Sequence, residues 1–241
     1  MNQHKCIAVI PARGGSKRIP RKNIKEFMGF PIIKYSIEAA IKSDLFDEIM
    51  VSTEDSEIAA IAEGFGAKIP FYRSNEAAGG ESTLVEMLTE VLGKYRKIGE
   101  NFDYVCVILS TAPFITAEVL RSSYEVLVKN KADGVVPVVQ FGYPIQRAFK
   151  IEDNRLSMVW PENILKFSQE LDLTYHDSGQ FYWLDVRKFI EQKKFFPDFT
   201  CPYVLPETHV QDIDTEEDWK LAEMKYNLII KEKKLNERKD K

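Results

Sequence analysis

Six cations lie between Arg13 and Lys25 with no acid among them: Arg13, Lys17, Arg18, Arg21, Lys22 and Lys25. Gly14, Gly15 and Ser16 separate the first two. Glycine lets backbone N–H groups approach an anion closely, and Arg and Lys add charge and forked donors. That is phosphate-binding chemistry. The spacing fits neither G-x-x-x-x-G-K-[ST] nor G-x-G-x-x-G, so a Walker A loop and a dinucleotide fingerprint are not expected. A solvated cationic turn is the plain alternative. Near the other end stand Asp212 and Asp214, two apart, and in extended chain such residues point the same way. Paired carboxylates suit Mg²⁺, which often takes one or two of them and fills its shell with phosphates and water. The competing reading is a helix start. Asp214 or Thr215 precedes a stripe of Trp219, Ala222, Tyr226, Ile229 and Ile230, while a loose Thr215–Asp218 capping box would leave both aspartates free.

Composition narrows the partners. The chain has 241 residues, 33 Lys+Arg against 37 Asp+Glu, and a formal net charge of −4. That length suits one domain with an excursion. With 44% hydrophobic and 29% charged residues it is not a disordered chain. Net acidity argues against a nucleic-acid binder, so the local cations need a smaller anion. Cys6, Cys106 and Cys201 are too scattered for a disulfide framework or a zinc site. No run approaches the ~20 apolar residues of a membrane span, and none near the start carries a cleavage site, so a cytoplasmic location and no membrane partner are expected.

The elements that must position these groups alternate in period. Cys6 to Ile10 is a continuous apolar run, as in a strand buried on both faces. A helical pattern follows from Pro31 to Lys42, then a strand at 49–52, a helix at 56–65, a possible strand at 68–72 and a helix at 81–96 with Leu84, Met87, Leu88 and Val91 near the 3.6 period. Tyr104 to Leu109 is the clearest strand; helix 116–129 and strand 134–139 follow. Such alternation predicts an α/β fold, a mostly parallel sheet flanked by helices, with ligands at the carboxyl ends of its strands. The cationic loop lies directly after the first strand. Residues 141–176 break the pattern and read as an excursion with a hairpin around Glu152–Arg155. The core resumes at Gly179, and a long helix from Thr215 closes the chain.

Ile7-Ala8-Val9-Ile10-Pro11-Ala12-Arg13-Gly14-Gly15-Ser16-Lys17 with Pro20-Arg21-Lys22-Asn23-Ile24 resembles the first motif of the sugar-acid cytidylyltransferases, which make CMP-sialic acids. The likeness continues through Val51-Ser52-Thr53, Arg73, Thr111-Ala112-Pro113, Gly179-Gln180-Phe181-Tyr182 and Asp212-Ile213-Asp214-Thr215-Glu216. Tyr175 to Trp183 and Ser110 to Ile115 are similar to the pseudaminic acid branch rather than the sialate form. The resemblance implies a Rossmann-like nucleotidyltransferase that joins CTP to a nonulosonic acid with Mg²⁺, releasing pyrophosphate. It implies catalytic roles for Arg13, Lys17 and Lys22 and a nucleotide site of Ala12, Arg13, Gly14, Ser16, Asn23, Arg73, Ser82 and Thr83. Arg147, Gln180, Phe181 and Tyr182 would face the sugar, and Asp212 and Asp214 would hold the metal. It also implies a homodimer formed through 141–176. The sialate R-Q-x-L-P pattern is replaced by Ser168-Gln169-Glu170-Leu171-Asp172, which leaves Arg147 or Lys166 as partner for the sugar carboxylate. The N-acetylneuraminate and legionaminate enzymes, a D-x-D glycosyltransferase and a nucleotide sensor are the alternatives.

Overall fold

A computed structural model describes residues 4–74 and 83–239 of the chain. The run Cys6–Pro11 forms β1, buried from Cys6 to Ile10 because both faces of the sheet are covered. Cys6, Ala8 and Ile10 point into one apolar layer with α1 (Ile33–Ser43), α2 (Ser56–Gly64) and α4 (Ala117–Asn130). Ile7 and Val9 point into the other, with α3 (Leu84–Lys97) and α5 (Val186–Gln192). Period-2 alternation in one strand thus divides two cores.

β4 (Glu48–Ser52) and β5 (Tyr104–Ile108) flank β1 in parallel. β6 (Gly134–Gln140) and β11 (Thr200–Val204) pair in parallel further out, and β10 (Phe181–Asp185) separates β5 from β6. The order is β11-β6-β10-β5-β1-β4, and β9 (Tyr175–Asp177) also pairs with β6. β9 and β10 run antiparallel to their neighbours, where the alternation alone suggested only that the sheet is mostly parallel. The chain leaves the sheet at the carboxyl end of β6 and re-enters from that end, so its return must be reversed. Between Asp177↔Val138 and Trp183↔Val135 the register slips by three residues. Ser178, Gly179 and Gln180 absorb that slip, with Gly179 at φ 63°, a conformation that favours glycine.

Residues 68–72 supply only a bridge at Lys68 to Met50 instead of a strand. The excursion contains the expected hairpin, β7 (Phe149–Glu152) and β8 (Arg155–Met158). Its turn residues Asp153 and Asn154 both have positive φ, as a tight hairpin turn of matching twist requires. Tyr175 and His176 belong to β9, so the segment outside the main sheet is shorter than 141–176.

A smaller cluster serves the site. β2 (Glu26–Phe27) and β3 (Phe30–Pro31) form a ribbon whose Phe27 packs edge-on to Tyr35, Trp219 and Tyr226. Trp219 and Tyr226 lie on the closing helix α6 (Glu216–Lys239). Ile19 from the cationic loop and Ile213 from the aspartate segment are fully buried in this same cluster. Burying both draws together two segments nearly two hundred positions apart in sequence.

Candidate active site

The loop after β1 begins anchored. Ala12 N–H donates to Ser52 O at 3.0 Å, and Asn23, itself buried, donates to Arg13 O at 2.8 Å while accepting from the Ser110 hydroxyl at 2.8 Å. Asn23 therefore braces the loop against the end of β5. Gly14 N–H donates to Glu54 Oε1 at 2.7 Å. A Cβ on Gly14 would stand 2.5 Å from Asp55 Oδ2, so only glycine allows this approach.

Asp55 has three partners. It accepts from the N–H groups of Glu57 and Ile58 as the N-cap of α2, and it takes the forked guanidinium of Arg21. The Arg21 hydrogen bond holds its carboxyl down at about 2, against the burial that raises it. Arg21 also reaches Glu57 at 2.6 Å, and Lys25 reaches Glu216 at 2.6 Å. For these two cations the plain alternative of a solvated turn does not hold, since each is paired with an acid. Arg13 and Lys17 differ: both are exposed, and their side chains take no hydrogen bond or ion pair among the described residues. Ser16 is half-buried beside them, its N–H on Gly14 O at 3.1 Å.

The aspartates face this loop. Lys22 Nζ donates to Ile213 O at 2.5 Å and lies 3.4 Å from Asp214 Oδ1, which Arg18 also reaches at 2.8 Å. Thr215 Oγ1 accepts from Asp218 N–H at 3.2 Å, and the Asp218 carboxylate accepts from Thr215 N–H at 2.8 Å. The capping box is real and needs neither Asp212 nor Asp214. Asp212 is exposed, and its carboxylate, in hydrogen-bond contact with the Ile213 N–H, forms no ion pair among the described residues. The protein packed around it, and then Asp214, push its pKa up, while Lys22 works in the other direction. The added Cβ of Gly179 would be 3.8 Å from Asp212 Oδ1, so the register slip in the sheet lies against this carboxylate.

Other expected site residues divide. Arg73 is turned inward, its guanidinium donating to Ser52 Oγ at 3.1 Å and Ser52 O at 2.9 Å; burial lowers its pKa, with the charge of Glu54 opposing. Thr83 caps α3 in a full capping box with Glu86, and Ser82 lies outside the described residues. Gln180 is buried, donating to His209 O at 2.9 Å. Phe181 requires correction: it is fully buried among Ala8, Cys106 and Leu120 and has no surface to offer a sugar. Strand alternation sends its ring to one core and Tyr182 to the opposite face. Arg147 is exposed in the excursion, with no partner among the described residues.

The Tyr182 hydroxyl donates to Asp177 Oδ2 at 2.5 Å, and burial followed by that carboxylate pushes its pKa well up. Asp177 Oδ1 accepts from Gly179 N–H at 2.9 Å, which ties the register slip together. The rings of Phe195 and Phe196 stand 5.2 and 6.2 Å from Tyr182. Glu54 and Asp55 escaped the sequence reading, and the Phe195–Phe196 strip, which reads in sequence as packing under the final helix, lies instead against Tyr182. An available signal was the acid pair Glu54-Asp55 directly after a parallel strand, at the sheet end where ligands bind.

A divalent ion fits these residues. Among the described residues no cation is paired with the Asp212 carboxylate, and Asp214, two positions on, supplies further hard oxygen. No group of three or more His, Cys, Asp or Glu arranged for a metal occurs among the described residues. Two carboxylates suffice for Mg²⁺ that keeps water or phosphate in its shell.

Known proteins match this arrangement along nearly the whole chain. Similarity to the pseudaminic acid cytidylyltransferase of Campylobacter jejuni is 38% identity over 228 residues, 93% of this chain and 97% of that one. The CMP-N,N'-diacetyllegionaminic acid synthase of Legionella pneumophila is 33% identical, over 91% of this chain and 95% of its own. Among solved structures, CMP:2-keto-3-deoxy-manno-octonic acid synthetase complexed with CTP superposes with a TM-score of 0.65 at 18% identity, over 95% of this chain and 99% of that one, a likeness of fold. A model of the cytidylyltransferase family matches residues 7–182, from the first buried strand through the cationic loop to the tyrosine beside Asp177, and the chain belongs to that family.

Proposed function

We propose that this chain transfers CMP from CTP to the anomeric hydroxyl of a nine-carbon sugar acid, pseudaminic acid, with release of pyrophosphate. The observation that carries the reading is the clamp of Lys22 and Arg18 on the Ile213–Asp214 segment, which sets the cationic loop directly against the aspartates. The 38% identity to a pseudaminic acid cytidylyltransferase supports the choice of sugar.

In the reaction the anomeric oxygen bonds to the α-phosphorus, the bond to the β-phosphate oxygen breaks, and the hydroxyl proton is released. Such transfers depend on positioning and charge neutralisation. Arg13 and Lys17, exposed and unpaired, meet the triphosphate. Lys22 stands between the phosphates and Asp214, where it faces the charge that gathers on the departing pyrophosphate. Arg73 holds the end of β4 beneath the nucleotide. Asp212 and Asp214 would hold Mg²⁺, which supplies neutralisation of the triphosphate. Since the Tyr182 hydroxyl already donates to Asp177, its oxygen is left to accept from a sugar hydroxyl.

The excursion leaves Ile151 74%, Leu165 90% and Phe167 67% exposed. Apolar side chains gathered this way mark an interaction surface, and a second copy of the chain is the partner we assign. No helix among the described residues is long and apolar enough to cross a membrane. The reaction is assigned to the cytoplasm, where nucleoside triphosphates are available.

Pyrophosphate release with CTP, Mg²⁺ and a panel of nonulosonic acids tests the proposal. Release is expected with pseudaminic acid. Release with N-acetylneuraminate or a legionaminate alone overturns the sugar, and CTP binding without release from any sugar overturns catalysis.

A further inference from the structure

The phosphate loop already has an anion in it. Gly14 N–H, at the point where the loop turns closest to the core, donates to Glu54 Oε1 at 2.7 Å. Glu54 Oε2 is buried without a hydrogen-bond partner among the described residues. A carboxylate placed only to brace a loop would have both oxygens satisfied, because an orphaned buried oxygen is costly. Around it the field is cationic. The guanidinium of Arg73, committed to Ser52, feels both Glu54 and Arg13, and Arg13 has no acidic partner among the described residues. One oxygen on a backbone N–H, beside arginines and behind a glycine with no room for a Cβ, is the environment a phosphate oxygen would occupy.

We propose that Glu54 is an internal stand-in for a phosphate oxygen at Gly14 N–H, displaced when a nucleotide triphosphate binds and returning as pyrophosphate leaves. The proposal rests on the nucleotide-binding reading given above and assigns Glu54 as a positioning residue that sets affinity for the phosphate chain. The exchange involves no covalent change. The carboxylate holds the loop in its receptive shape while the site is empty. On binding it yields one charge-assisted hydrogen bond to a ligand of higher charge. On release it competes with pyrophosphate for the same donor, which shortens product residence.

Glu54→Gln separates competition from bracing, since an amide oxygen still accepts from Gly14 N–H but carries no charge. Calorimetric titration of the parent chain, Glu54→Gln and Glu54→Ala with inorganic pyrophosphate, and then with CTP, reads the effect. Both variants are expected to bind pyrophosphate about tenfold tighter, the scale of one hydrogen bond to a charged group. With CTP and the sugar acid, Glu54→Gln should lower both KM for CTP and kcat, with stronger inhibition by pyrophosphate. Unchanged or weaker pyrophosphate binding by Glu54→Gln overturns the proposal. Should the Gln variant fail to fold by circular dichroism, Glu54→Asp, which keeps the charge on a shorter arm, must also bind pyrophosphate tighter. If CTP turnover is normal in the parent chain while pyrophosphate affinity ignores position 54, only this proposal falls. If the parent binds pyrophosphate but neither binds nor turns over CTP, the cytidylyl reading falls and the pyrophosphate comparison still decides the role of Glu54.

Discussion

Asp55→Asn isolates the charge that fixes one wall of the phosphate loop. Asparagine keeps the shape of the side chain and remains a good N-cap for α2, so the variant loses chiefly the ion pair with Arg21. In the folded chain the Arg21 guanidinium holds this carboxyl down at about 2, against an ordinary 3.8. Each unit is ~1.4 kcal/mol, which sets a ceiling of ~2.5 kcal/mol. Arg21 is 38% exposed and Asp55 20%, so solvent screening reduces the expected loss at neutral pH to about 1 kcal/mol. Because the folded pKa is depressed, this stabilisation is complete above the unfolded value. It fades as pH falls towards about 2, and roughly half should remain at pH ~3.

Urea unfolding of parent and variant at pH 7 and at pH 3 measures this directly, through midpoints at unchanged slope. A gap that narrows on acidification is the expected result. An equal gap at both pH values refutes the assignment of the low pKa to the Arg21 pair. In the same variant the wall against Gly14 loosens, and KM for CTP should rise several-fold.

Asp212→Ala should lower turnover by roughly 100-fold or more, as loss of a transition-state electrostatic group does, with no loss of thermal stability, since Asp212 is held in its less favoured charged form. Parental turnover at saturating Mg²⁺ would remove it from the metal site. Gly14→Ala forces a Cβ to 2.5 Å from Asp55 Oδ2 and should cost ~1–3 kcal/mol, partly recovered in the Gly14→Ala, Asp55→Ala double variant; differential scanning calorimetry checks both. Tyr182→Phe breaks the bond to Asp177 and should raise KM for the sugar acid about tenfold while leaving KM for CTP in place, so equal changes in both would contradict a sugar-side role. Leu165→Asp, at a 90% exposed position, should shift sedimentation from dimer to monomer without changing the far-UV spectrum.

Features carried by consecutive residues were legible in the sequence. The run Cys6–Ile10 could only be a doubly covered strand, and the Gly-rich cationic loop after it could be read without knowing what lay opposite. The Thr215–Asp218 capping box was legible for the same reason. Features that depend on pairing between distant segments were not. The reversal of β9 and β10 follows from where the excursion rejoins the sheet, which no local period encodes. The resemblance assigns Phe181 and Tyr182 together to the sugar, although strand geometry sends them to opposite cores. The acid pair Glu54-Asp55 after β4 marks the sheet end, but it does not say what Glu54 touches. Its meaning comes from Gly14, forty positions earlier and on the neighbouring strand end.

A loop with six cations and no acid would repel itself, and its folding needs anions from elsewhere in the chain. They come from two sides. Asp55 and Glu57, at the start of α2, hold Arg21. Asp214 and Glu216, at the start of α6, hold Arg18, Lys22 and Lys25. Acids in the first turn of a helix are favourable for the helix itself, so these groups serve both the helix ends and the loop. Among the described residues only Arg13 and Lys17 are left without an acid, and they lie on either side of the glycines. The local charge that greets a ligand is therefore far smaller than the sequence count suggests, and it is concentrated where backbone N–H groups are also available. This selects for a compact polyphosphate over an extended polyanion. It also makes Asp214 a shared group, held by loop cations on one side and placed beside Asp212 on the other. Rearrangement of the cationic loop at Lys22 is thereby felt directly by the Ile213–Asp214 segment.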